Sequence, residues 1–190
     1  MKKINSFYSI LVMLLLSALN LNAWTFTWTG TNSTAWADAA NWNKTGTNTG
    51  VNTIPGSLDD VVISSGTGRQ PIMSANTSIL NLTQSNGTLN LNDYTLTILN
   101  NASFTGGTVF RGTLTIENIA SMQNTIFDAS GTTITINKIG GSDNDLYGGN
   151  TFKGYAYIYN SSAYRFRLSV SSPDNYNGYI RYEERSTGAL

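Results

Sequence analysis

The sequence predicts an all-β fold, a repetitive β-solenoid with an aromatic N-terminal cap, and three observations carry that prediction. First, a unit of aromatic, any residue, glycine and alternating apolar residues recurs: Phe110-Arg-Gly112 before Thr-Leu-Thr-Ile, Phe152-Lys-Gly154 before Tyr-Ala-Tyr-Ile, and Tyr176-Asn-Gly178 before Tyr-Ile-Arg-Tyr. A looser copy runs from Phe127 to Gly131 and on through Thr-Thr-Ile-Thr-Ile, and an earlier one keeps only Gly87 before Thr-Leu-Asn-Leu. The five glycines fall at intervals of roughly 19 to 25 residues, the length of one solenoid coil. Second, the apolar runs are short, rich in β-branched residues and separated by turn residues. Third, all four tryptophans, Trp24, Trp28, Trp36 and Trp42, precede the repeat.

Residues 1–23 read as a secretory signal peptide: Lys2 and Lys3, an apolar run from Ile10 to Leu16, and small Ala23 before a polar continuation. A membrane anchor needs about 20 predominantly apolar residues, and this run is shorter. Residues 24–57 form the Trp-rich cap segment. Alternation in Trp24-Thr-Phe-Thr-Trp28 puts Trp24, Phe26 and Trp28 on one face of a strand. The polar stretch 45–53 reads as a loop.

Residues 58–190 form the repeat region, which begins with short strands around Val61–Ile63, Ile79–Leu82, Leu89–Leu91 and Leu96–Ile98. Asn86-Gly87 and Asn92-Asp93 supply turns. Within each copy the residues two and four after glycine point inward: Leu89 and Leu91, Leu114 and Ile116, Ala156 and Ile158, Ile180 and Tyr182. The Gly131 copy slips by one to Ile134 and Ile136, which requires a bulge or a longer turn to keep the faces. One coil cannot bury its own apolar stripe, whereas stacked coils make a continuous aliphatic column. The residue between aromatic and glycine reads Arg111, Asp128, Lys153 and Asn177, an exposed ladder if the copies stack in register.

Composition removes several function classes. The chain has no histidine and no cysteine. Catalytic triads built on histidine, thiolate nucleophiles and disulfide frameworks are therefore excluded. Charge is balanced, with 11 basic and 11 acidic residues, so no basic field for a nucleic-acid backbone is expected. Arg165, Arg167, Arg181 and Arg185 read as solvated strand positions. Lipid-facing barrel strands run to about 9 to 11 residues, and most runs here are shorter.

Two segments resemble a known family. One is Trp28-Thr-Gly, Trp36, Asn41-Trp42, Pro55 and Asp59-Asp-Val-Val-Ile63; the other is Gly148-Gly-Asn-Thr-Phe-Lys-Gly154 with Ser171-Ser-Pro-Asp-Asn-Tyr-Asn-Gly178. Both are similar to segments of the long secreted, adhesin-like surface proteins of Bacteroidetes that are often exported by the type IX secretion route. The resemblance implies a right-handed parallel β-helix and a structural, adhesive role at the bacterial surface, with polysaccharide or surface proteins as partners. It implies no catalytic residue and no cofactor. The family's long continuation and C-terminal sorting domain are not seen after Arg185-Ser-Thr-Gly-Ala-Leu190, so the chain is expected to be the front of a longer protein or to associate end to end.

Four residues stand out as ligand-site candidates. Asp143 and Asp145, two apart in a Gly-rich stretch, can share a calcium ion, which takes six to eight oxygens. With only two carboxylates and Asn144 on offer, the stretch reads rather as a structural turn, so no metal is assigned. Trp36 and Trp42 can stack on sugar rings or, alternatively, plug the open end of the solenoid. Asp59, Asp60 and Asp174 read as turn-forming carboxylates. The enzymatic alternative is a polysaccharide lyase or a glycosidase, and a glycosidase needs two carboxyl groups about 5 to 9.5 Å apart. Asp143 with Asp145, or either with Asp174 on a neighbouring coil, are its candidate pairs.

Overall fold

The computed structural model describes residues 23–46, 51–64, 68–118, 120–141, 144–167 and 169–185. The described residues open with two strands, β1 (Thr25–Trp28) and β2 (Trp42–Thr45), joined through a 3-10 turn at Ala39–Asn41. Each later coil contributes two or three strands. These are β3 (Asp60–Ile63) and β4 (Thr77–Ile79), then β5 (Asn81–Gln84), β6 (Thr88–Asn90) and β7 (Thr95–Ile98). Next come β8 (Ala102–Phe104), β9 (Thr108–Phe110) and β10 (Gly112–Ile116), followed by β11 (Ala120–Gln123) and the long β12 (Ile126–Lys138). The last are β13 (Asn144–Gly148) with β14 (Thr151–Asn160), and β15 (Phe166–Arg167) with β16 (Asn175–Glu184).

The pairing makes a parallel β-solenoid. The first face runs β3-β5-β8-β11-β13-β15, the third runs β4-β7-β10-β12-β14-β16, and β6 and β9 pair onward to β12 to build the second face between them. Stepping from β3 to β15 gives about five turns. In the longest strands, β12, β14 and β16, the second and third faces are continuous across one corner. Among the described residues no helix is long and apolar enough to cross a membrane.

Three inward columns fill the third face. Leu96, Leu114, Ile136 and Ile158 stack in register, Ile134 lies under Ala156, and Ile79, Ile98 and Ile116 form the third. All of these side chains are buried. At about 1.5 to 3 kcal/mol for each fully buried aliphatic, stacking supplies what one coil lacks. The slip expected at the Gly131 copy is real: Ala129 pairs with Gly154 but Thr133 pairs with Tyr155, so Ser130, Gly131 and Thr132 loop out of the ladder. That excursion restores Ile134 and Ile136 to the interior.

The glycine phase needs correction elsewhere. Thr88 pairs with Thr108, so Gly87 turns the corner before the second face, whereas Gly112 starts a third-face strand opposite Ile134. Leu89 is therefore the partner of Val109, and the equivalents of Leu114 and Ile116 are Leu96 and Ile98. The outward ladder is also shorter than expected. Asp128, Lys153 and Asn177 are in register, but Phe110 rather than Arg111 sits opposite Asp128. Arg111 turns away to Asn92, at 2.5 Å, and Asp93, at 3.7 Å.

The N-terminal end is closed by aromatic rings. Trp42 meets Trp28 and Trp36 edge-on at centroid distances of 4.9 and 4.8 Å, and Phe26 at 6.3 Å. β1 lies parallel on β3, while β2 is antiparallel to β1 and ends the sheet. Asn41, fully buried, holds the loop between them: its side-chain Oδ1 accepts from the Asn32 and Ser33 backbone amides, and its Nδ2 donates to Ser33 Oγ and the Ala35 carbonyl. A second side-chain ladder ties successive coils at another corner. Asn118 donates to Asn100 at 2.7 Å, Asn100 to Asn81 at 3.0 Å, and Asn81 to Asp60 at 2.6 Å.

Candidate functional site

The tryptophan candidates lie inside the cap. Trp36 is 3% exposed and Trp42 7%, and the Trp42 indole N–H donates to the Trp36 carbonyl at 2.8 Å. With both rings packed against aromatic neighbours, a sugar stacking on either would have to displace the cap. Trp24, partly buried, is covered by the Lys44 ammonium at 3.9 Å from its ring centre. Asp143 lies outside the described residues. Asp145 is placed by its backbone alone, on β13 opposite Arg167.

Several other carboxylates are engaged in local structure. Asp59 is buried; it accepts from the Gly56 amide at 2.9 Å and the Trp24 amide at 3.3 Å. Asp60 reaches the next coil through Asn81. Asp174 accepts from the Asn150 amide at 2.8 Å. Burial alone would raise the Asp128 carboxyl, but hydrogen bonds from Ser130 and the Lys153 ammonium at 3.5 Å outweigh it and hold it below the usual carboxylate range. Asp38 is likewise lowered, by hydrogen bonds from Asn32, Ser33 and the Ala40 amide. No group of three or more acidic side chains that could hold a metal gathers among the described residues.

What the fold does assemble is the outer side of the third face. Parallel pairing places Thr95, Thr113 and Thr135 in one outward column and Thr97, Thr115 and Asn137 in the next. Strand spacing of about 4.8 Å makes this a regular hydroxyl array. The columns then change character: Thr135 is followed by Tyr157, Asn137 by Tyr159, and Thr133 by Tyr155, which is followed by Tyr179. Tyr155 is 57% and Tyr179 53% exposed, with ring centres 6.0 Å apart. Tyr157 stands 6.1 Å from both Tyr159 and Tyr179.

Charges at this end are mutually engaged. Arg181 and Arg185 both contact Glu183, at 2.9 and 3.0 Å, and the Arg185 guanidinium lies 3.4 Å over the Tyr159 ring. These cations hold the Glu183 carboxyl below its ordinary range, the Arg185 hydrogen bond contributing most. The single Tyr182 hydroxyl proton has two acceptors in reach, the Glu184 carboxylate and the Phe166 carbonyl; burial, then the Glu184 carboxylate, push its pKa upward.

The sequence carried a signal for this patch that the repeat obscured. Seven of the ten tyrosines lie between Tyr155 and Tyr182. Tyr155, Tyr157 and Tyr159 alternate with Ala156 and Ile158, so the inward aliphatics already fix the tyrosines as outward. Comparison with protein-family models, with curated proteins and with solved structures finds no match.

Proposed function

We propose that the chain is a secreted structural protein of the bacterial cell surface, of the adhesin-like kind exported by type IX routes in Bacteroidetes, and that it acts by display and adhesion without catalysis. The observation that carries this reading is the outer side of the third face, where an open hydroxyl array meets exposed tyrosines on a stacked scaffold. Two further features support it. Residues 1–23 have the pattern of an export signal, and the carboxylates Asp59, Asp128 and Asp174 serve backbone and lysine partners rather than an open cleft.

A scaffold of this design suits adhesion because each coil adds surface without disturbing the others. The test is expression with residues 1–23 in a didermic host, with mass spectrometry of the exported chain and protease accessibility on whole cells. An exported product starting near Trp24, together with adhesion of chain-coated beads to cells or extracellular polymer, is expected. Retention in the cytoplasm, or inert beads, would overturn the reading.

A further inference from the structure

We propose that the tyrosine end of the third face binds an uncharged polysaccharide, laid along the solenoid axis across Tyr179, Tyr155 and Tyr157 and onto the hydroxyl columns of Thr135, Thr113 and Asn137. This rests on the adhesive reading above and names its ligand class.

Three observations select that chemistry. Tyr155 and Tyr179 are the most exposed rings on this face and are tilted at 45° to one another, so they offer π surface rather than closing on each other. The face of a pyranose ring is a patch of C–H groups, which the negative face of an aromatic ring attracts. Next to the rings, the outward positions of β7, β10 and β12 carry hydroxyl or amide groups: Thr95, Thr97, Thr113, Thr115, Thr135 and Asn137. Each can donate and accept, which matches a polyhydroxylated chain.

The third observation is charge. Arg181 and Arg185 face Glu183 at 2.9 and 3.0 Å, and Arg185 is also stacked on Tyr159. Both guanidiniums stay about half exposed but share the Glu183 carboxylate, and the outward third-face positions of β7, β10, β12 and β14 beside them are uncharged, so the complement is a neutral glycan rather than an acidic one. The geometry also suits a chain. Coils repeat at about 4.8 Å, so a ligand running along the axis meets a fresh row of outward side chains at every step, tyrosines first and then hydroxyls.

The experiment is affinity electrophoresis of the exported chain through gels containing laminarin, xyloglucan, dextran, mannan or polygalacturonate. Retardation by at least one neutral polymer, insensitive to added salt, is expected. A Tyr155→Ala, Tyr179→Ala double variant loses about tenfold or more in apparent affinity. The Tyr155→Phe, Tyr179→Phe variant, which keeps the rings, binds like the parent, as does Thr83→Ala on the outer side of the first face.

Three outcomes overturn the inference: no retardation by any neutral polymer, retardation by polygalacturonate alone that salt abolishes, or equal binding by the parent and the alanine variant. A lower melting temperature in the alanine variant with unchanged binding assigns the tyrosines to strand pairing. If chain-coated beads still adhere when the alanine variant replaces the parent, this inference fails and the adhesive scaffold stands.

Discussion

Lys138 on β12 is in register with Ile116 on β10, so a lysine occupies an inward position that the preceding coils fill with Ile79, Ile98 and Ile116. Its side chain is fully buried and its ammonium nitrogen has no hydrogen-bond partner. Above it the column continues with Asn160 and then Glu184. Burial therefore lowers the Lys138 pKa from its ordinary value.

Lysine 138 consequently weakens the fold, and Lys138→Met should stabilise it by about 1 to 3 kcal/mol, the usual cost of a buried unpaired polar group. The sign in pH follows from the depressed folded pKa. Between that value and the unfolded value of about 10.4, the unfolded chain binds more protons, so stability rises with pH. Urea denaturation of the parent should show this rise through the alkaline range. In Lys138→Met that part of the rise should vanish; identical pH profiles would show that the lysine titrates normally.

The ring stack of Phe127, Phe152 and Tyr176 gives a graded test. Neighbouring centroids are 5.1 and 5.6 Å apart with planes 14° and 15° from parallel. Phe152 is sandwiched and buried, whereas Tyr176 is 43% exposed at the end of the stack. Phe152→Ala should cost about 3 to 5 kcal/mol and Tyr176→Ala clearly less. Equal losses in chemical denaturation would mean that the last coil is as well packed as the interior.

Much of the architecture was legible because it depends on period alone. Alternation around Leu114, Ile136 and Ile158 identifies buried residues whichever coil they stack on. Register was less legible, since a coil with three faces has several corners and a glycine can turn any of them. Gly87 and Gly112 both precede Thr-Leu, yet they serve different corners, and the shared Thr-Leu does not tell them apart. Lys138 was legible in phase, two residues after Ile136, but a lysine ordinarily argues for the surface. The tyrosine patch stayed hidden for a related reason: it exists only where β14 and β16 lie side by side, which requires the register first.

Two glycines with similar backbone conformation separate steric from conformational cost. Gly154 has φ 75° and a Cβ there would sit 2.5 Å from the Ala129 carbonyl oxygen. Gly131 has φ 78°, yet a Cβ there meets nothing within 4 Å because the residue loops out of the ladder. Gly131→Ala should cost about 1 to 2 kcal/mol, the left-handed penalty alone. Gly154→Ala should cost more, because the neighbouring coil must also move. Equal melting temperatures for the two variants would contradict the close coil approach at this corner.

The final prediction concerns β16, which pairs with β14 on one edge and with no described strand on the other. Its inward residues continue the core columns, Ile180 over Ala156 and Tyr182 over Ile158, and no strand among the described residues stacks on their other side. Tyr182 is accordingly 38% exposed where Ile158 is fully buried. A ten-residue strand with one edge unpaired among the described residues, beside apolar side chains, is a template for another strand. We therefore expect the purified chain to self-associate through this edge, with light scattering rising with concentration. Ile180→Lys, which places a charge at the open end of the column, should lower that association without changing the β14-to-β12 pairing. A parent chain that stays monomeric, with amides of β16 exchanging as slowly as those of β14, would show that this end is already closed.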